Sequence, residues 1–448
     1  MNQNPSSHVH SGKRKLPLGV IFLTLFIDLI GFSIIFPLFP GILDHYLEME
    51  GDTGLLGALL SFLETFDQPG EGSGHFTAVL FGGVLGSIYS FLQFLFAPLW
   101  GRLSDRFGRR TILLYTVSGT VLSYLLWFFS GSFLVFILAR LLGGAMGGNL
   151  SVASAAIADV TPPEHRARGM ALVGIAFGLG FIMGPAIGGL SANIDILALA
   201  PALASWGVNP FSGPALVALV LSAINLGWVY FRFYETLPPD RRAEYFADRS
   251  PRKLFSARFK SNVRKTNWVF FVYVLAFSGM EFTLTFLASQ RFDYGHMELA
   301  YIFIYVGLLI VLTQGFVVRK AVPAIGEKAV ALWGLFLVMV GLFIVGIAQT
   351  PGWLYGGLGF MAVGSGLVNP ALSALVSLYS PAEKQGEAMG VFRSLGSLGR
   401  AIGPFLASFV FWWYGSAVSY ALGAAILIIP LGIALLLPRP RFDDPETP

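Results

Sequence analysis

Five ionisable side chains interrupt the long apolar stretches of this sequence: Asp28, Arg140, Glu281, Arg393 and Arg400. A charge is costly in an apolar environment, so each of these residues is a candidate for function. A carboxyl group in a poorly hydrated cavity can exchange protons near neutral pH and change its charge as it does so. Arginine stays charged and presents a planar fork of donors that suits carboxylates and phosphates. The pattern predicts proton exchange at the acids and anion contact at the arginines.

The two acids each have a structural alternative, which is an ion pair with a nearby arginine. Asp28 lies about 11 residues, or roughly 16 Å, into the first apolar stretch, near its middle. Glu281 belongs to a polar stripe at helical spacing, made of Ser278, Glu281, Thr285 and Ser289. Because a mid-span carboxylate faces the interior of a helix bundle, we expect both acids to bind protons or substrate.

The elements that carry these residues are predicted to be transmembrane helices. Hydrophobic residues make up 55% of the 448 residues and charged residues only 12%, whereas a soluble domain has about 25% charged residues. We predict an all-α polytopic membrane protein with twelve spans. The expected spans are roughly 17–40, 78–99, 111–130, 133–157, 169–190, 214–234, 268–289, 299–318, 329–348, 353–378, 389–412 and 417–437. An apolar piece at 55–66, in the loop after the first span, is too short to cross and is expected at the outer interface.

Basic residues fall in alternate loops of this arrangement. Positions 41–100 contain no lysine or arginine, whereas the segment 235–267 contains nine. With twelve spans nearly all basic loops lie on one side, which the positive-inside rule assigns to the cytoplasm. We therefore expect a multi-pass protein of the cell (inner) membrane with both termini cytoplasmic. The basic pI then reflects these loops and does not indicate nucleic-acid binding.

The two halves of the chain repeat each other at an offset of 219 residues. The matches are Thr161 with Ser380, Pro162 with Pro381, Glu164 with Glu383, Met170 with Met389, Gly180 with Gly399 and Gly184-Pro185 with Gly403-Pro404. Repeats of this kind place a binding site near the bilayer midplane, between the halves. We predict a cytoplasmic tail (1–16), two six-helix pseudo-symmetric bundles (17–234 and 268–437), a cytoplasmic linker (235–267) and a second tail (438–448).

The repeat bears on the arginines of the eleventh span. Arg393 and Arg400 lie on one helical face, and their counterparts in the first half are Gly174 and Phe181. The duplicated scaffold therefore does not require arginine at either place. We expect Arg400 in the substrate cavity, and Arg393 either there or in a gating pair with Asp105. The intramembrane amides Gln93 and Asn369 are further cavity candidates.

The loop Gly101-Arg102-Leu103-Ser104-Asp105-Arg106-Phe107-Gly108-Arg109-Arg110 is the most specific motif. Its glycines permit a tight turn between antiparallel helices, and Asp105 can pair with a basic group or a helix N-terminus. A solvated basic loop would explain the arginines but not the spacing of Gly101, Asp105 and Gly108. The motif resembles the signature between helices 2 and 3 of the major facilitator superfamily, which implies that fold and a gating role for these residues.

Further motifs extend this resemblance over the whole chain. Asp28-x-x-Gly31 with Pro37 and Pro40 resembles the first helix of tetracycline and multidrug proton antiporters. Gly180-x-x-x-Gly184-Pro185-x-x-Gly188-Gly189 resembles the motif of the superfamily's exporters, although Ala171 replaces its usual earlier glycine. The stretches 278–281 and 290–292 are similar to tetracycline-transporter-like proteins of animals.

The resemblance also implies roles for two further residues. Arg140, followed by Gly143-Gly144, would take part in proton transfer coupled to Asp28. Asp159 would pair with a basic residue of the motif loop, Arg109 being the candidate. From the residues alone, Arg140 could equally cap carbonyls of a neighbouring helix, and the glycines with Pro185 need only serve close helix packing.

The leading hypothesis is a secondary active transporter that couples protons to export of a drug-like or metabolite-like small organic molecule by alternating access. The alternative is an organic-anion uniporter or exchanger that uses the intramembrane arginines. The sequence contains no Gly-x-x-x-x-Gly-Lys-Ser/Thr loop, which nucleotide binding of that type would need, and no cysteine. No predicted span contains histidine or lysine, so the spans lack the usual groups for metal or acid–base chemistry. We expect no enzyme activity, cofactor or metal. The expected partners of this monomer are the lipid bilayer, its substrate and protons.

Overall fold

Helices account for all the secondary structure in the part of the chain that the computed structural model describes, which is residues 18–51, 53–64, 73–161, 166–237, 242, 261–380 and 385–439. Both predicted tails, except residues 438 and 439, and most of the linker lie outside these residues. The α-helices are α1 (Leu18–Ser33), α2 (Phe39–Glu50), α3 (Gly54–Glu64), α4 (Ser73–Phe107), α5 (Arg109–Phe128), α6 (Phe133–Met146), α7 (Asn149–Val160), α8 (Arg166–Ser191), α9 (Ile196–Leu199), α10 (Ser212–Arg232), α11 (Ser261–Phe292), α12 (His296–Leu312), α13 (Val318–Ile347), α14 (Pro351–Tyr379), α15 (Gln385–Ile426) and α16 (Ile428–Leu435).

The first span is longer than its hydropathy indicates. After a short 3-10 turn, Phe36–Leu38, helix α2 continues the chain to Glu50. Its buried residues Phe39, Ile42, Leu43 and Tyr46 follow helical spacing, so its acidic residues occupy the opposite face of a helix. The expectation of a loop from residue 41 is therefore wrong, and His45 lies on this helix. Helix α11 likewise begins at Ser261, seven residues before the predicted start of its span at 268.

Nine helical stretches within the described residues are long and apolar enough to cross a membrane. Two of them, His296–Ile347 with 52 residues and Ala388–Leu435 with 48, contain a sharp internal break. The breaks fall at Gly326 and Gly415, whose φ values of 80° and 83° favour glycine. Gly108, which lies 218 residues before Gly326 and so one position off the repeat, adopts a similar φ of 97° between α4 and α5.

Equivalent helices in the two halves of the chain pack through equivalent contacts. Helix α8 packs on α1, and α15 packs on α11. The Ser33 hydroxyl donates to the Gly180 carbonyl at 3.1 Å, and the Ser278 hydroxyl donates to the Gly399 carbonyl at 3.3 Å. Gly180 and Gly399 are partners in the sequence repeat, so these matching contacts support the duplication.

The first half of the chain meets the second mainly through two helix pairs, α4 with α15 and α8 with α12. Asn193 follows α8, and its amide bonds the ring of His296 at 3.2 Å and the sulfur of Met297 at 2.8 Å. We call this the latch end of the molecule. The opposite end, which carries the loop 101–110, is called the basic end.

Candidate functional site

A cavity of about 650 Å³ lies among α7, α8, α11, α12, α14 and α15. Most of its wall is apolar and aromatic, as expected for a site that binds small organic molecules. Its lining extends from Glu281 in the middle of α11 to Glu327 and Ser377 at the basic end. The polar and aromatic lining residues include Phe270, Tyr273, Phe277, Ser278, Glu281, Phe303, Gln314, Ser365, Asn369, Phe392, Arg393 and Arg400.

Glu281 and Arg400 form the charged centre of this cavity. The two side chains interact electrostatically across the α11–α15 contact. Tyr273 lies two helical turns before Glu281 and interacts with both charges. Its hydroxyl donates to Ser365 at 2.8 Å and accepts from the Asn369 amide at 3.4 Å. The cavity thus combines a carboxylate, an arginine and a short hydrogen-bonded network in an aromatic surround.

The structure brings Glu281, Arg393, Arg400 and Asn369 of the predicted set to one cavity. The predicted stripe on α11 is only partly right. Ser278 and Glu281 line the cavity, but Thr285 is buried and donates to the Phe282 carbonyl at 3.1 Å. The lining face of α11 instead follows Tyr273, Phe277, Glu281 and Leu284. Tyr273 was not predicted to line the cavity, because the sequence does not distinguish an aromatic residue that lines a cavity from one that packs in a core.

Asp28 lies outside this cavity, in a separate polar cluster of α1, α4, α5 and α7. The side chain of Asn149, at the start of α7, donates to the Asp28 carboxylate at 2.8 Å and also bonds Thr116. Tyr89 and Tyr124 interact electrostatically with Asp28 and with Arg140. Asp28 is therefore held by the side-chain amide of the first residue of α7, and it is placed differently from Glu281.

Arg140 is 3% exposed and makes no ion pair within the described residues. Its guanidinium lies 4.6 Å from the ring centre of Trp127 and within 6 Å of the rings of Tyr89, Tyr124 and Phe136. Cation–π contacts of this kind stabilise a guanidinium. The alternative role, a cap on carbonyls of a neighbouring helix, is not seen at the buried Nε and Nη2 atoms, which have no hydrogen-bond partner among the described residues.

Gln93 does not line the large cavity. It lies against Gly147, at the break between α6 and α7, where a Cβ atom would come within 2.9 Å of its amide nitrogen. The indole of Trp100 donates to the Ala145 carbonyl at 2.7 Å at the same break. The Trp100 bond satisfies one carbonyl at the interrupted helix, and Gln93 packs beside the same break.

Residues 101–110 form a charge network at the basic end. They are helical except for Gly108, the one residue between α4 and α5, so the expected loop is reduced to a tight turn. Arg109 is 1% exposed and donates to the carboxylates of Asp105 and Asp159 at 2.5 and 2.9 Å and to the Ser104 hydroxyl at 2.7 Å. The Gly101 carbonyl accepts from Ser104 at 2.8 Å. Arg106 is exposed and stacks over Phe107. Arg109, rather than Arg106, thus connects α4 with α7.

The first residues of the linker extend this network, which the sequence alone did not indicate. The Glu235 carboxylate accepts from the backbone N–H of Arg109 at 2.8 Å and of Arg110 at 3.3 Å, at the start of α5. The Thr236 hydroxyl donates to Asp159 at 2.9 Å. A carboxylate at a helix N-terminus is stabilising. The start of the linker is therefore fastened to the motif loop.

The glycines of α8 lie against the backbone of α1. A Cβ atom on Gly184 would meet the Ile30 carbonyl oxygen at 2.7 Å, and one on Gly188 would meet the Ile34 carbonyl carbon at 2.8 Å. Pro185 lies inside the helix between them. These contacts agree with the close-packing interpretation of Gly180, Gly184 and Gly188.

A bundle of apolar helices around a polar-centred cavity defines a membrane transport protein. The profile of the Major Facilitator Superfamily matches residues 21–324 and 320–448, and the chain belongs to that superfamily. This confirms the resemblance carried by the loop 101–110. The protein is therefore a multi-pass transporter of a small molecule and not an enzyme.

Named relatives fall into two groups. Major facilitator superfamily domain-containing protein 10 of Bos taurus is 35% identical over 447 residues, which cover 94% of this chain and 93% of the relative. The class C tetracycline resistance protein of Escherichia coli is 28% identical over 418 residues, covering 92% and 94%. The crystal structure of the human organic anion transporter MFSD10 (TETRAN) matches with a TM-score of 0.72 at 32% identity, covering 93% of this chain and 98% of that one.

Proposed function

We propose that this transporter moves organic anions together with protons, by alternating access around the large cavity. The observation that carries the proposal is the interaction of Glu281 with Arg400 in a cavity that Arg393 also lines. Arg393 and Arg400 bring two guanidinium groups to the lining, whose acids are Glu281, beside Arg400, and Glu327, at the basic end. A substrate with a carboxylate and an aromatic or apolar body matches this lining. The structural relative named as an organic anion transporter supports the same substrate class.

The coupling follows from competition for Arg400. While Glu281 is ionised, its carboxylate competes with a substrate carboxylate for the guanidinium. When Glu281 takes up a proton, Arg400 is left to the substrate. Proton and anion therefore favour each other's binding and move in the same direction. The transport direction is then set by the proton gradient.

A second candidate is proton antiport of a drug-like molecule, the export predicted from the sequence. The Asp28 cluster favours this candidate, because it provides a second carboxylate, outside the large cavity and with Arg140 nearby. A tetracycline resistance protein among the relatives also favours antiport. The two candidates predict opposite proton movements when substrate is added. The sign of that movement therefore separates them.

The proposed architecture has twelve spans in two six-helix bundles, 17–234 and 268–437. The stretches of 52 and 48 residues would each cross twice, since one crossing needs about 20 residues. The basic end would be cytoplasmic together with both termini, in a cell membrane and as a monomer. The latch end would then be closed and the cavity would open to the cytoplasm. The Arg109 network would be part of the cytoplasmic gate.

Competition among solutes of different charge tests the substrate class. The purified chain is reconstituted in liposomes, and uptake of aromatic carboxylates is compared with that of organic cations of similar size. We expect carboxylates to be transported, Arg400→Gln to abolish this, and Arg400→Lys to weaken it because the planar fork is lost. Arg232→Gln is the matched control, since Arg232 stacks on Trp228 away from the cavity. Transport of cations alone, unchanged in Arg400→Gln, would contradict the proposal.

A further inference from the structure

A second, much smaller cavity lies between the two halves of the chain. Its volume is about 30 Å³, enough for one or two water molecules or a small ion but not for an organic substrate. Helices α4 and α6 contribute Tyr89, Ser90 and Arg140 to its lining, and α11 and α15 contribute Glu281 and Arg400. Phenylalanines of α1, α2 and α11 form much of the remaining wall.

Arg140 presents an unused pair of donors in this region. Its Nε and Nη2 atoms are buried and have no hydrogen-bond partner among the described residues. These two N–H groups lie on one edge of the planar guanidinium and point in the same direction, so they can bind one acceptor together. The Trp127 ring centre lies 4.6 Å from the guanidinium carbon, and this edge has no nitrogen or oxygen acceptor among the described residues.

The charges around the small cavity favour an anion as that acceptor. Arg140 and Arg400 contribute two positive charges and Glu281 at most one negative charge. A buried charge is stabilised when it is paired and hydrogen-bonded. The Ser90 hydroxyl, 8% exposed, supplies a further donor in the lining.

We propose that the small cavity binds a small inorganic monoanion, of which chloride is the commonest, held by the Nε–Nη2 edge of Arg140. The two cavities share Ser278, Glu281 and Arg400 in their linings, but they differ in size, and Arg140, the principal donor, lines only the small one. Because its walls come from both halves of the chain, it is complete only while α4 and α6 pack near α11 and α15. A bound anion therefore stabilises the conformation that has the latch end closed. The anion is a regulator of the transport cycle and need not be transported.

Bromide is a suitable probe, since it is close to chloride in size and quenches indole fluorescence on contact. Trp127 is in contact with Arg140 and reports on the site. The full chain is purified in chloride-free gluconate buffer, and bromide replaces gluconate at constant ionic strength. We expect one saturable component of quenching among the nine tryptophans. It should disappear in Trp127→Phe and in Arg140→Gln, and added chloride should reverse it.

The matched control is the pair of the exposed Arg232 and the partly buried Trp228, at 5.7 Å. Trp228→Phe and Arg232→Gln should leave the saturable component intact. Quenching that rises linearly in the wild type, as for simple collision, would overturn the proposal and leave water as the occupant. Saturable quenching that persists in Arg140→Gln would also overturn it. If Arg140→Gln does not fold, Ser90→Val tests the site, with several-fold weaker bromide binding expected and unchanged binding contradicting the proposal. Because binding is measured without transport, the outcome is independent of the proposed substrate.

Discussion

Close packing of α8 on α1 should be sensitive to a single methyl group at Gly188. In the present structure a Cβ atom there would lie 2.8 Å from the Ile34 carbonyl carbon and closer still to its oxygen, whereas ordinary contact begins at 3.4 Å. The obstacle is backbone, which cannot rotate away as a side chain can. The helices would have to separate by at least about 0.6 Å along this strip, losing packing contacts. Overpacking of this kind costs about 1–3 kcal/mol, and we expect Gly188→Ala to cost about 2–3 kcal/mol.

Gly178→Ala provides the control on the same helix. Nothing lies within 4 Å of a Cβ atom at Gly178, so the same methyl group meets no obstacle and removes a flexible glycine from a helix. The two variants are compared by thermal unfolding in detergent. Each purified protein is heated, and the fraction that still elutes as folded protein from a size-exclusion column is measured against temperature. We expect a melting temperature lowered by several degrees in Gly188→Ala and an unchanged or higher value in Gly178→Ala. Equal melting temperatures would refute the packing role of the α8 strip.

Three further outcomes follow from contacts at the two ends of the molecule. Arg109→Gln leaves the buried carboxylate of Asp105 and the more exposed one of Asp159 without their shared cation. Because one partner of a buried pair is removed, the protein should be destabilised by about 3–5 kcal/mol. Arg106→Gln, close in sequence but exposed, should change the melting temperature little, and equal effects would contradict the network. Arg291→Gln removes donors to the last carbonyls of α13 and should cost about 1.5–3 kcal/mol, and an unchanged melting temperature would show that this cap is dispensable. Because the chain has no cysteine, Asn193→Cys with His296→Cys can be oxidised without background, and this link should stop transport until a reductant is added. Transport through the oxidised pair would show that the latch end need not open.

Hydropathy and charge predicted the helices well because both depend on local composition. Each of the twelve expected spans overlaps a helix, and the breaks at Gly326 and Gly415 fall where loops were expected. The extension to Glu50 was missed because the acidic residues of α2 lower its mean hydropathy. Their helical spacing against Phe39, Ile42 and Tyr46 was the available signal.

The placement of the candidate residues depends on helix rotation, which composition does not determine. Asp28 and Glu281 are both acids near the middle of apolar stretches, yet Glu281 lines the large cavity and Asp28 lies in a separate cluster with Asn149. The difference depends on which neighbours each helix meets. Tyr273 and Ser365 could not be recognised for the same reason, since either residue is ordinary in a packed apolar helix.

Residues whose partners are distant in sequence were the hardest to predict. Glu235 accepts from backbone groups more than a hundred positions earlier, and nothing in the linker's composition indicates this. The Arg109–Asp159 contact was expected only through the family resemblance. The roles assigned to these residues in gating stay predictions until variants are measured.

Proton movement during anion transport tests the central claim most directly. Liposomes containing the reconstituted protein and a trapped pH-sensitive dye are exposed to an aromatic carboxylate, with the wild type compared with Glu281→Gln and Asp28→Asn. We predict that added anion acidifies the lumen in the wild type, and that Glu281→Gln carries the anion without proton flux because its neutral side chain always leaves Arg400 to the substrate. Asp28→Asn should retain coupled acidification. Alkalinisation of the lumen, or acidification that persists in Glu281→Gln, would contradict the account.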